Sequence, residues 1–294
     1  MAEFSGPELT SIRSPRVKAA RQLAKRAMRE RARSFLAEGA QAAGEALARD
    51  GVVTELFLTA AARSRHGGMA ARASRQGAPV HVVSGEVMAE LAQTVTPQGI
   101  LAVCRFVDVP LAALTSAAPR LVIVLANVRD PGNAGTVLRT ADAAGASGVI
   151  FSGASVDPYN SKCVRASAGS LFHLSLVLGG TVADTVGQLR AAGLRVLAAD
   201  GSTGQPLDQV EPRGVLGEPT AWLFGNEAWG LPDDVLALAD ETVAVPIYGQ
   251  AESLNLAAAA AVCLYASARA QRGNAGGGLP SGTRNALESD HIAS

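Results

Sequence analysis

Short apolar runs alternate with helical segments between residues 121 and 271, and this alternation constrains the fold more than any other feature. The runs predict strands at Leu121–Ala126, Gly148–Ser152, Leu174–Leu178, Leu194–Ala199, Thr220–Phe224 and Thr242–Pro246. Strands that alternate with helices pair in parallel, because each connection crosses back over the sheet. The sequence therefore predicts an α/β domain with a mainly parallel sheet and helices on both faces.

Residues 1–106 show the same alternation on a smaller scale. A basic helix is predicted over residues 16–33, and strands are predicted at Phe35–Gly39, Val52–Leu58, Val80–Val83 and Ile100–Phe106. The segment 107–120 carries two prolines and short Ala/Ser runs, so we expect an interdomain linker there. The tail, 272–294, is rich in Gly and Ser and is predicted to be disordered. We therefore expect a small α/β domain over 1–106 and a larger one over 121–271.

Composition and cysteine usage narrow the class of protein. Hydrophobic residues make up 48% of the chain and charged residues 18%, which is typical of globular proteins. No apolar run has the length of a membrane helix, and the N-terminus lacks the apolar segment of a signal peptide. The three cysteines are far apart, lie in apolar surroundings and lack metal-ligand spacing. We therefore expect a cytoplasmic protein with no metal site and no membrane partner.

Positive charge is concentrated near the N-terminus although the net charge is +0. The stretch from Arg13 to Arg33 contains a single acidic residue, Glu30. Such a block predicts a surface that binds a polyanion, although a solvated helix with excess charge is the alternative. The candidate contacts are Arg13, Arg16, Lys18, Arg21, Lys25 and Arg26. Arg165 and its neighbour Lys162, in a basic turn of the larger domain, are further candidates; a solvated helix end is the alternative there.

A first motif, NVRDPGNAGTVLRT over residues 127–140, follows a strongly apolar strand and opens a helix. Asn133 is a predicted N-cap, because its side chain can accept from free amides of the first turn. Arg139 lies roughly opposite the apolar stripe of the helix and faces solvent or a substrate. A helix N-terminus after a glycine-containing turn can bind an anion. The nucleotide fingerprints G-x-G-x-x-G and G-x-x-x-x-G-K-[ST] are both missing, so a turn without a ligand is an equal alternative.

A second motif, WLFGNEAWGLP over residues 222–232, places Glu227 just after a predicted strand. Ligands of open α/β sheets bind beyond the carboxyl ends of the strands, so Glu227 is a candidate site residue. A capping or solvated glutamate is the alternative.

A third motif, VPIYGQAESLNL over residues 245–256, leads into an alanine-rich helix. Ser253 or Asn255 is expected to cap this helix. The helix is apolar on nearly all sides, which predicts burial within the domain or in a dimer interface.

Together the three motifs resemble the signatures of the SpoU/TrmH family of RNA ribose methyltransferases. The matching patterns are N-x-x-x-x-x-N-x-G-x-x-x-R-T, G-N-E-x-x-G-L and P-x-x-G-x-x-E-S-L-N, in this order. The basic helix, Phe35–Gly39 and Pro97–Ile100 are similar to the small ribosomal-protein-like RNA-binding domain of that family. The resemblance implies a deep C-terminal trefoil knot, bound S-adenosylmethionine, a homodimer and 2′-O-methylation of an RNA ribose.

The resemblance also implies roles for particular residues. Catalytic roles fall on Arg139, Asn133, Glu227, Ser253 and Asn255. Cofactor contacts fall on Leu223, Gly225, Val245, Ile247 and Leu254. Arg139 would either anchor the phosphate next to the ribose or assist loss of the hydroxyl proton, and Glu227 would organise its loop or pair with Arg139. Tyr248 departs from the family, which commonly has methionine there, and Leu256 with the following alanines replaces a usual Val-Ser-Val run.

The substrate is less sharply defined than the chemistry. We expect ribosomal RNA, 23S in particular, because a separate N-terminal domain is more typical of the ribosomal enzymes of the family, and transfer RNA is the alternative. A non-catalytic RNA-binding or ribosome assembly protein of the same fold, and an unrelated nucleotide-dependent oxidoreductase, are the competing functions. The sequence leaves open the target nucleotide and any role in antibiotic resistance.

Overall fold

The computed structural model describes residues 8–92 and 94–274. The last helix extends to Asn274, past the predicted domain end at 271. The rest of the predicted tail lies outside the described residues. No helix in the described ranges is long and apolar enough to cross a membrane.

The N-terminal domain contains a four-stranded sheet flanked by short helices. Its strands are β1 (Ser34–Glu38), β2 (Val53–Thr59), β3 (Val80–Val83) and β4 (Ile100–Arg105). Its helices are α1 (Pro15–Gln22), α2 (Arg26–Ala32), α3 (Ala40–Ala48), α4 (Ala60–Arg65), α5 (Gly67–Arg75) and α6 (Gly85–Leu91). The strand order is β1-β4-β2-β3, with β4 antiparallel to both neighbours and β2 parallel to β3. The predicted strands of this domain are thus confirmed.

The predicted single basic helix over 16–33 is wrong, because α1 and α2 are separate helices. At the break, the Arg29 guanidinium donates hydrogen bonds to the carbonyls of Leu23 and Ala24, at 2.9 and 2.8 Å. The same side chain is 4% exposed and forms an ion pair with Asp157 of the larger domain at 2.6 Å. The tertiary ion pair therefore places a donor where the chain leaves helical geometry, and it stabilises the break.

The larger domain contains a seven-stranded sheet. Its strands are β5 (Leu121–Ala126), β6 (Gly148–Ser152), β7 (Ser175–Leu178), β8 (Arg195–Ala199), β9 (Gln205–Pro206), β10 (Thr220–Phe224) and β11 (Glu241–Ala244). Its helices are α7 (Leu111–Ser116), α8 (Pro131–Ala144), α9 (Ser161–Ala166), α10 (Val182–Ala191), α11 (Leu207–Val210), α12 (Asp233–Leu236) and α13 (Leu256–Asn274), with short 3₁₀ turns at Ser170–Phe172, Glu211–Arg213 and Val215–Gly217. The strand order is β7-β6-β5-β10-β8-β11-β9, and every pair is parallel. The predicted parallel sheet is confirmed; β9, two residues long, was too short to predict from periodicity.

Both faces of this sheet are covered. Successive residues of β5 point into different cores, as the period of a strand requires. Ile123 and Leu125 pack with residues of α8 and α13, whereas Val122 and Val124 pack with residues of α10. All six positions of β5 are buried, which explains its unbroken apolar sequence.

The predicted linker, 107–120, is packed rather than loose. It contains α7, whose Leu114 is 1% exposed in the core of the larger sheet. Next to it, the Tyr159 ring stacks on Phe106 with ring centroids 3.8 Å apart, and its hydroxyl donates to Asp108 at 2.8 Å. The two domains therefore share a continuous apolar core around Tyr159.

Candidate active site

The three motifs meet at the carboxyl edge of the larger sheet. Motif one follows β5 and motif two follows β10, and these strands are neighbours. Motif three follows β11, which is separated from β10 by one strand, β8. Because all of these strands are parallel, their following loops emerge at one edge, where open α/β sheets bind ligands.

Asp130, not Asn133, caps helix α8, which corrects the predicted N-cap. The Asp130 carboxylate accepts the backbone N–H of Asn133 at 2.7 Å. Pro131 occupies the first helical position, where its missing N–H costs nothing. The Asp130 carboxylate also pairs with Lys162 at 2.8 Å, and this hydrogen bond, with that from Asn133, lowers the Asp130 pKa.

Glu227 ties motif two to motif one. Its carboxylate accepts the backbone N–H groups of Arg129 and Asp130, at 3.2 and 3.1 Å, and the side-chain amide of Asn133 at 3.2 Å. Burial raises the Glu227 pKa, but these donors and the residue's own backbone N–H outweigh it and hold the pKa below its usual value. Of the two predicted roles for Glu227, loop organisation is therefore the one found, and the alternative pairing with Arg139 is not seen.

Asn255 ties motif three to motif one. Its side-chain Nδ2 donates to the Asn133 Oδ1 at 3.0 Å, and its Oδ1 accepts the backbone N–H of Ala257 at 2.9 Å. Asn255, rather than Ser253, therefore caps α13. Asn133 thus contacts both Glu227 and Asn255 and lies at the centre of the three loops.

The motif-two loop is held closed by Asn226, which the sequence analysis missed. The backbone groups of Asn226 and Gly230 exchange two hydrogen bonds of 2.9 Å each. The Asn226 side chain donates to the carbonyl of Asn127 at 2.9 Å and accepts the N–H of Ala228 at 2.8 Å. A Cβ at Gly225 would lie 2.3 Å from the Gly230 carbonyl, so only glycine fits there.

A cavity of about 330 Å³ lies between the motif-two and motif-three loops. The predicted cofactor contacts Gly225, Val245, Ile247 and Leu254 line it, as do the predicted catalytic residues Glu227 and Ser253. Leu223 is not among its lining residues, because its side chain is fully buried in the core around α10. The prediction that Leu223 contacts a cofactor therefore has no support from side-chain placement.

Two acidic residues in the cavity wall, Asp200 and Glu252, were also missed. Asp200 follows β8. The rule that ligands bind beyond the carboxyl ends of the strands, which identified Glu227, therefore applies to Asp200 as well. Its Oδ1 accepts the backbone N–H groups of Ser202 and Thr203, at 2.7 and 3.0 Å. Burial raises the Asp200 pKa, but these hydrogen bonds outweigh it and lower the pKa overall. The cavity wall therefore carries negative charge, which suits a cationic ligand.

Arg139 lies apart from the other predicted catalytic residues within this chain. Its side chain is exposed on α8 and forms no ion pair or hydrogen bond with any described residue. It follows Asn133 by six positions, which corresponds to a rise of roughly 9 Å along the helix. Arg139 therefore faces the outer surface next to the site, where a large substrate can reach it.

The predicted RNA contacts fall into two groups. Arg16 pairs with Glu55, Arg21 with Glu90 and Arg26 with Glu30. Three cations have exposed side chains that form no hydrogen bond or ion pair with any described residue: Arg13, Lys18 and Lys25. The Arg165 Nη1 lies 3.7 Å from the Glu38 Oε2 of the N-terminal domain, so Arg165 also contributes to the domain interface.

The described residues also bear on metal binding. No group of three or more His, Cys, Asp or Glu side chains in the described ranges is arranged to hold a metal ion.

Comparison with known proteins connects both domains to one enzyme family. Residues 120–265 match the SpoU rRNA Methylase family, and residues 14–102 match the MRM3-like substrate binding domain. The 23S rRNA (guanosine(2553)-2′-O)-methyltransferase RlmP of Bacillus subtilis is 33% identical over 88% of this chain and 98% of its own. The tRNA (guanosine(18)-2′-O)-methyltransferase of Escherichia coli is 34% identical over 54% of this chain and 66% of its own.

A solved structure has the same architecture. The AdoMet-bound rRNA methyltransferase from Sinorhizobium meliloti is 32% identical, with a TM-score of 0.76, over 90% of this chain and 97% of its own. A similarity of this extent includes both domains and the edge of the sheet where the three motifs meet. The chain therefore belongs to the SpoU rRNA methylase family.

Proposed function

We propose that this protein transfers the methyl group of S-adenosylmethionine to the 2′-hydroxyl of a ribose in 23S ribosomal RNA. One observation carries the proposal: Asn133 hydrogen bonds to both Glu227 and Asn255, so the three motifs form one site beside the cavity. We divide the chain into a substrate-binding domain over 1–106 and a methyltransferase domain over 121–271, in keeping with the two matched families.

The cavity fits S-adenosylmethionine in size and charge. Its volume of about 330 Å³ is in the range of small-molecule sites. Gly225 and Gly230, which both line the cavity, have no side chain and therefore offer only backbone groups to the ligand. The carboxylates of Asp200 and Glu252 suit the sulfonium and ammonium charges. When bound, S-adenosylmethionine supplies an electrophilic methyl group.

The residues around Asn133 position the nucleophile. A ribose hydroxyl must lose its proton as its oxygen bonds to the methyl carbon, and it must lie in line with the bond that breaks. Asn133, Ser253 and Asn255 orient the sugar, and Glu227 holds the motif-one backbone in place. An arginine guanidinium is a poor base and a planar donor that matches phosphate, so we assign Arg139 to the phosphate next to the target ribose rather than to proton removal.

Ribosomal RNA is favoured over transfer RNA by the extent of the similarities. The relative that acts on 23S rRNA aligns with 88% of this chain, whereas the relative that acts on tRNA aligns with 54%. The N-terminal domain then supplies affinity through contacts with RNA phosphates. A non-catalytic RNA-binding protein would not need the intact set of Asn133, Glu227 and Asn255.

We further propose a cytoplasmic homodimer with a knotted C-terminal region. The exposed apolar side chain of Val262 on α13 supports a dimer, because it lines a groove together with Val245, Pro246 and Tyr248. Tyr265, on the same helix, is exposed as well. The knot is in keeping with the return of α13 onto α8 after β11. Light scattering coupled to size-exclusion chromatography tests the dimer, and a monomer at micromolar concentration would contradict it.

Methylation with labelled S-adenosylmethionine tests the function. The substrates are ribosomal and transfer RNA from a strain that lacks the gene, and the modified position is then mapped. We expect a 2′-O-methylribose in 23S rRNA. A methylated base, or no binding of S-adenosylmethionine in calorimetry, would refute the proposal. Arg139→Ala is expected to abolish turnover, and if Arg139 acts across a dimer interface, mixing this variant with Asn255→Ala restores part of the activity.

A further inference from the structure

We infer that Trp229 and Arg129 form an RNA-binding subsite on the outer side of Glu227, in which Trp229 stacks on a base and Arg129 binds a phosphate. This inference rests on the proposed function and adds a nucleotide contact separate from the cofactor cavity.

Trp229 is exposed at the rim of the cavity without lining it. Its side chain is 60% exposed, whereas the other tryptophan of the chain, Trp222, is fully buried. Residues 225–228 and Gly230 line the cavity, and Trp229 is the residue of this loop that does not. The indole therefore presents its surface to a molecule outside the cofactor cavity.

The loop that carries Trp229 is held in one conformation before any ligand binds. The two backbone hydrogen bonds between Asn226 and Gly230 close the loop at its base. The Asn226 side chain, which is 6% exposed, fastens it to Asn127. An aromatic ring on a fixed loop loses little conformational entropy when a base stacks on it.

Arg129 is a free cation on the facing loop. Its backbone N–H donates to Glu227 Oε2 at 3.2 Å, and Glu227 precedes Trp229 by two positions. Its guanidinium is exposed and forms no ion pair or hydrogen bond with any described residue. The nearby Asp130 and Glu227 carboxylates are occupied by Lys162 and by N–H donors, respectively.

An RNA strand fits these two side chains better than a protein or a small apolar ligand. Single-stranded RNA is recognised by aromatic rings that stack on bases and by arginines that bind phosphates. Trp229 follows Glu227 by two positions, and the Arg129 backbone donates to Glu227, which contacts Asn133 in the proposed catalytic site. The base that stacks on Trp229 would thus belong to the target nucleotide or to its neighbour.

Tryptophan fluorescence of the full-length protein tests the stacking directly. Because Trp222 is buried, Trp229 accounts for the emission that a soluble quencher can reach. We expect acrylamide to quench this emission in the free protein, and unmodified 23S rRNA transcript to quench it with saturation. Trp229→Phe is expected to lose the RNA-dependent signal. Its KM for RNA should rise less than that of Trp229→Ala, because phenylalanine still stacks.

Kinetics and cofactor binding test the role in catalysis. Trp229→Ala is expected to raise the KM for RNA roughly fivefold to a hundredfold, the range for loss of one stacked base. Arg129→Gln is expected to raise the KM as well and to flatten its dependence on salt, and Arg129→Lys restores part of the loss. The affinity for S-adenosylmethionine stays unchanged in all of these variants.

Three outcomes would overturn the subsite. They are emission that stays constant while the RNA is methylated, an unchanged KM in Trp229→Ala, and a Trp229 that acrylamide cannot reach because a second copy of the chain covers it. Failure of the proposed function looks different, since the wild-type protein would then not methylate RNA at all. If RNA quenches the emission of a wild-type protein that does not methylate it, the subsite is supported and the proposed enzymatic function is refuted.

Discussion

The side chain of Asn255 donates a hydrogen bond to that of Asn133, with Nδ2 and Oδ1 3.0 Å apart. The two residues are 122 positions apart and belong to different motifs. Since the Asn133 Nδ2 also donates to Glu227, one amide joins all three loops at the edge of the sheet.

Asn133→Ala is expected to slow methylation by roughly tenfold to a hundredfold, because it removes both links and leaves the Asn255 Nδ2 without its acceptor. The measurement is kcat with saturating RNA and S-adenosylmethionine. Thr136→Ala is the matched control on the same helix, since the Thr136 hydroxyl donates only to the carbonyl of Gly132. Equal rates for Asn133→Ala and the control would show that the amide does not organise the site.

Gly225→Ala is expected to distort the cofactor cavity. The added methyl would lie 2.3 Å from the Gly230 carbonyl, so the motif-two loop, which lines the cavity, must shift. Overpacking of this kind costs about 1–3 kcal/mol of stability. Calorimetry should show at least a tenfold weaker affinity for S-adenosylmethionine.

Gly249→Ala is the control for this substitution, because a Cβ at Gly249 meets no atom of the described residues within 4 Å. If both variants bind S-adenosylmethionine as well as the wild type, the cavity is not the cofactor site.

The position of Glu227 could be predicted because it follows an apolar strand of a parallel sheet. The same rule applies to Asp200, which also follows a strand but belongs to none of the three motifs. It applies as well to Asn226, which is part of motif two but for which the pattern implied no role. That β5 lies next to β10 could not be predicted, because periodicity fixes the strands and not their order in the sheet.

Tertiary contacts account for the errors of the sequence analysis. The break between α1 and α2 has no glycine or proline, and the buried pair of Arg29 with Asp157 makes it favourable. The predicted cap of α8 at Asn133 is wrong because the helix already begins at Pro131, and proline is common at the first helical position.

His173 is expected to make the domain interface sensitive to pH. Its ring lies 2.8 Å from Asp142 on α8 and 3.1 Å from Glu45 on α3. Burial lowers the His173 pKa, but the hydrogen bonds and charges of Asp142 and Glu45 outweigh it, so the pKa lies above the usual 6.5. The folded state thus binds the proton more tightly than the unfolded state. The stabilisation is complete below pH 6.5 and is lost as the pH rises through the raised pKa.

Thermal unfolding of the wild type and of His173→Gln between pH 5.5 and 9 measures this effect. The difference should be on the order of 0.5 kcal/mol at low pH, since the group is partly solvent-exposed, and should vanish at high pH. His66→Gln is the control, because His66 has no carboxylate partner among the described residues. A difference that grows with pH would contradict the assignment.

Arg29→Ala is expected to destabilise the protein by about 3–5 kcal/mol, because it leaves the buried Asp157 charge without its partner. Urea unfolding measures the loss. Hydrogen exchange should increase at the break between α1 and α2, where the carbonyls of Leu23 and Ala24 lose their donor. Arg31→Ala, on the exposed side of the same helix, should change the stability by less than about 0.5 kcal/mol. Equal losses of stability in the two variants would show that the ion pair does not stabilise the domain interface.

The N-terminal cations are expected to differ in their contribution to RNA binding. Arg13, Lys18 and Lys25 have no acidic partner in the described part of the chain, so each is free to displace a counterion from RNA. Replacing all three with glutamine should reduce the slope of log K against log salt by about 2–3, if each contacts one phosphate.

The paired cations Arg16, Arg21 and Arg26 supply the matched comparison. Each already lies beside a glutamate, so it must give up that ion pair before it can bind a phosphate. The triple glutamine variant of this set should therefore reduce the slope by less than the first variant, although both remove the same charge. Filter binding of the 23S rRNA transcript over a range of KCl concentrations measures the slope for each triple variant. Identical slopes would mean that net charge, rather than the ion pairing of each residue, governs RNA affinity.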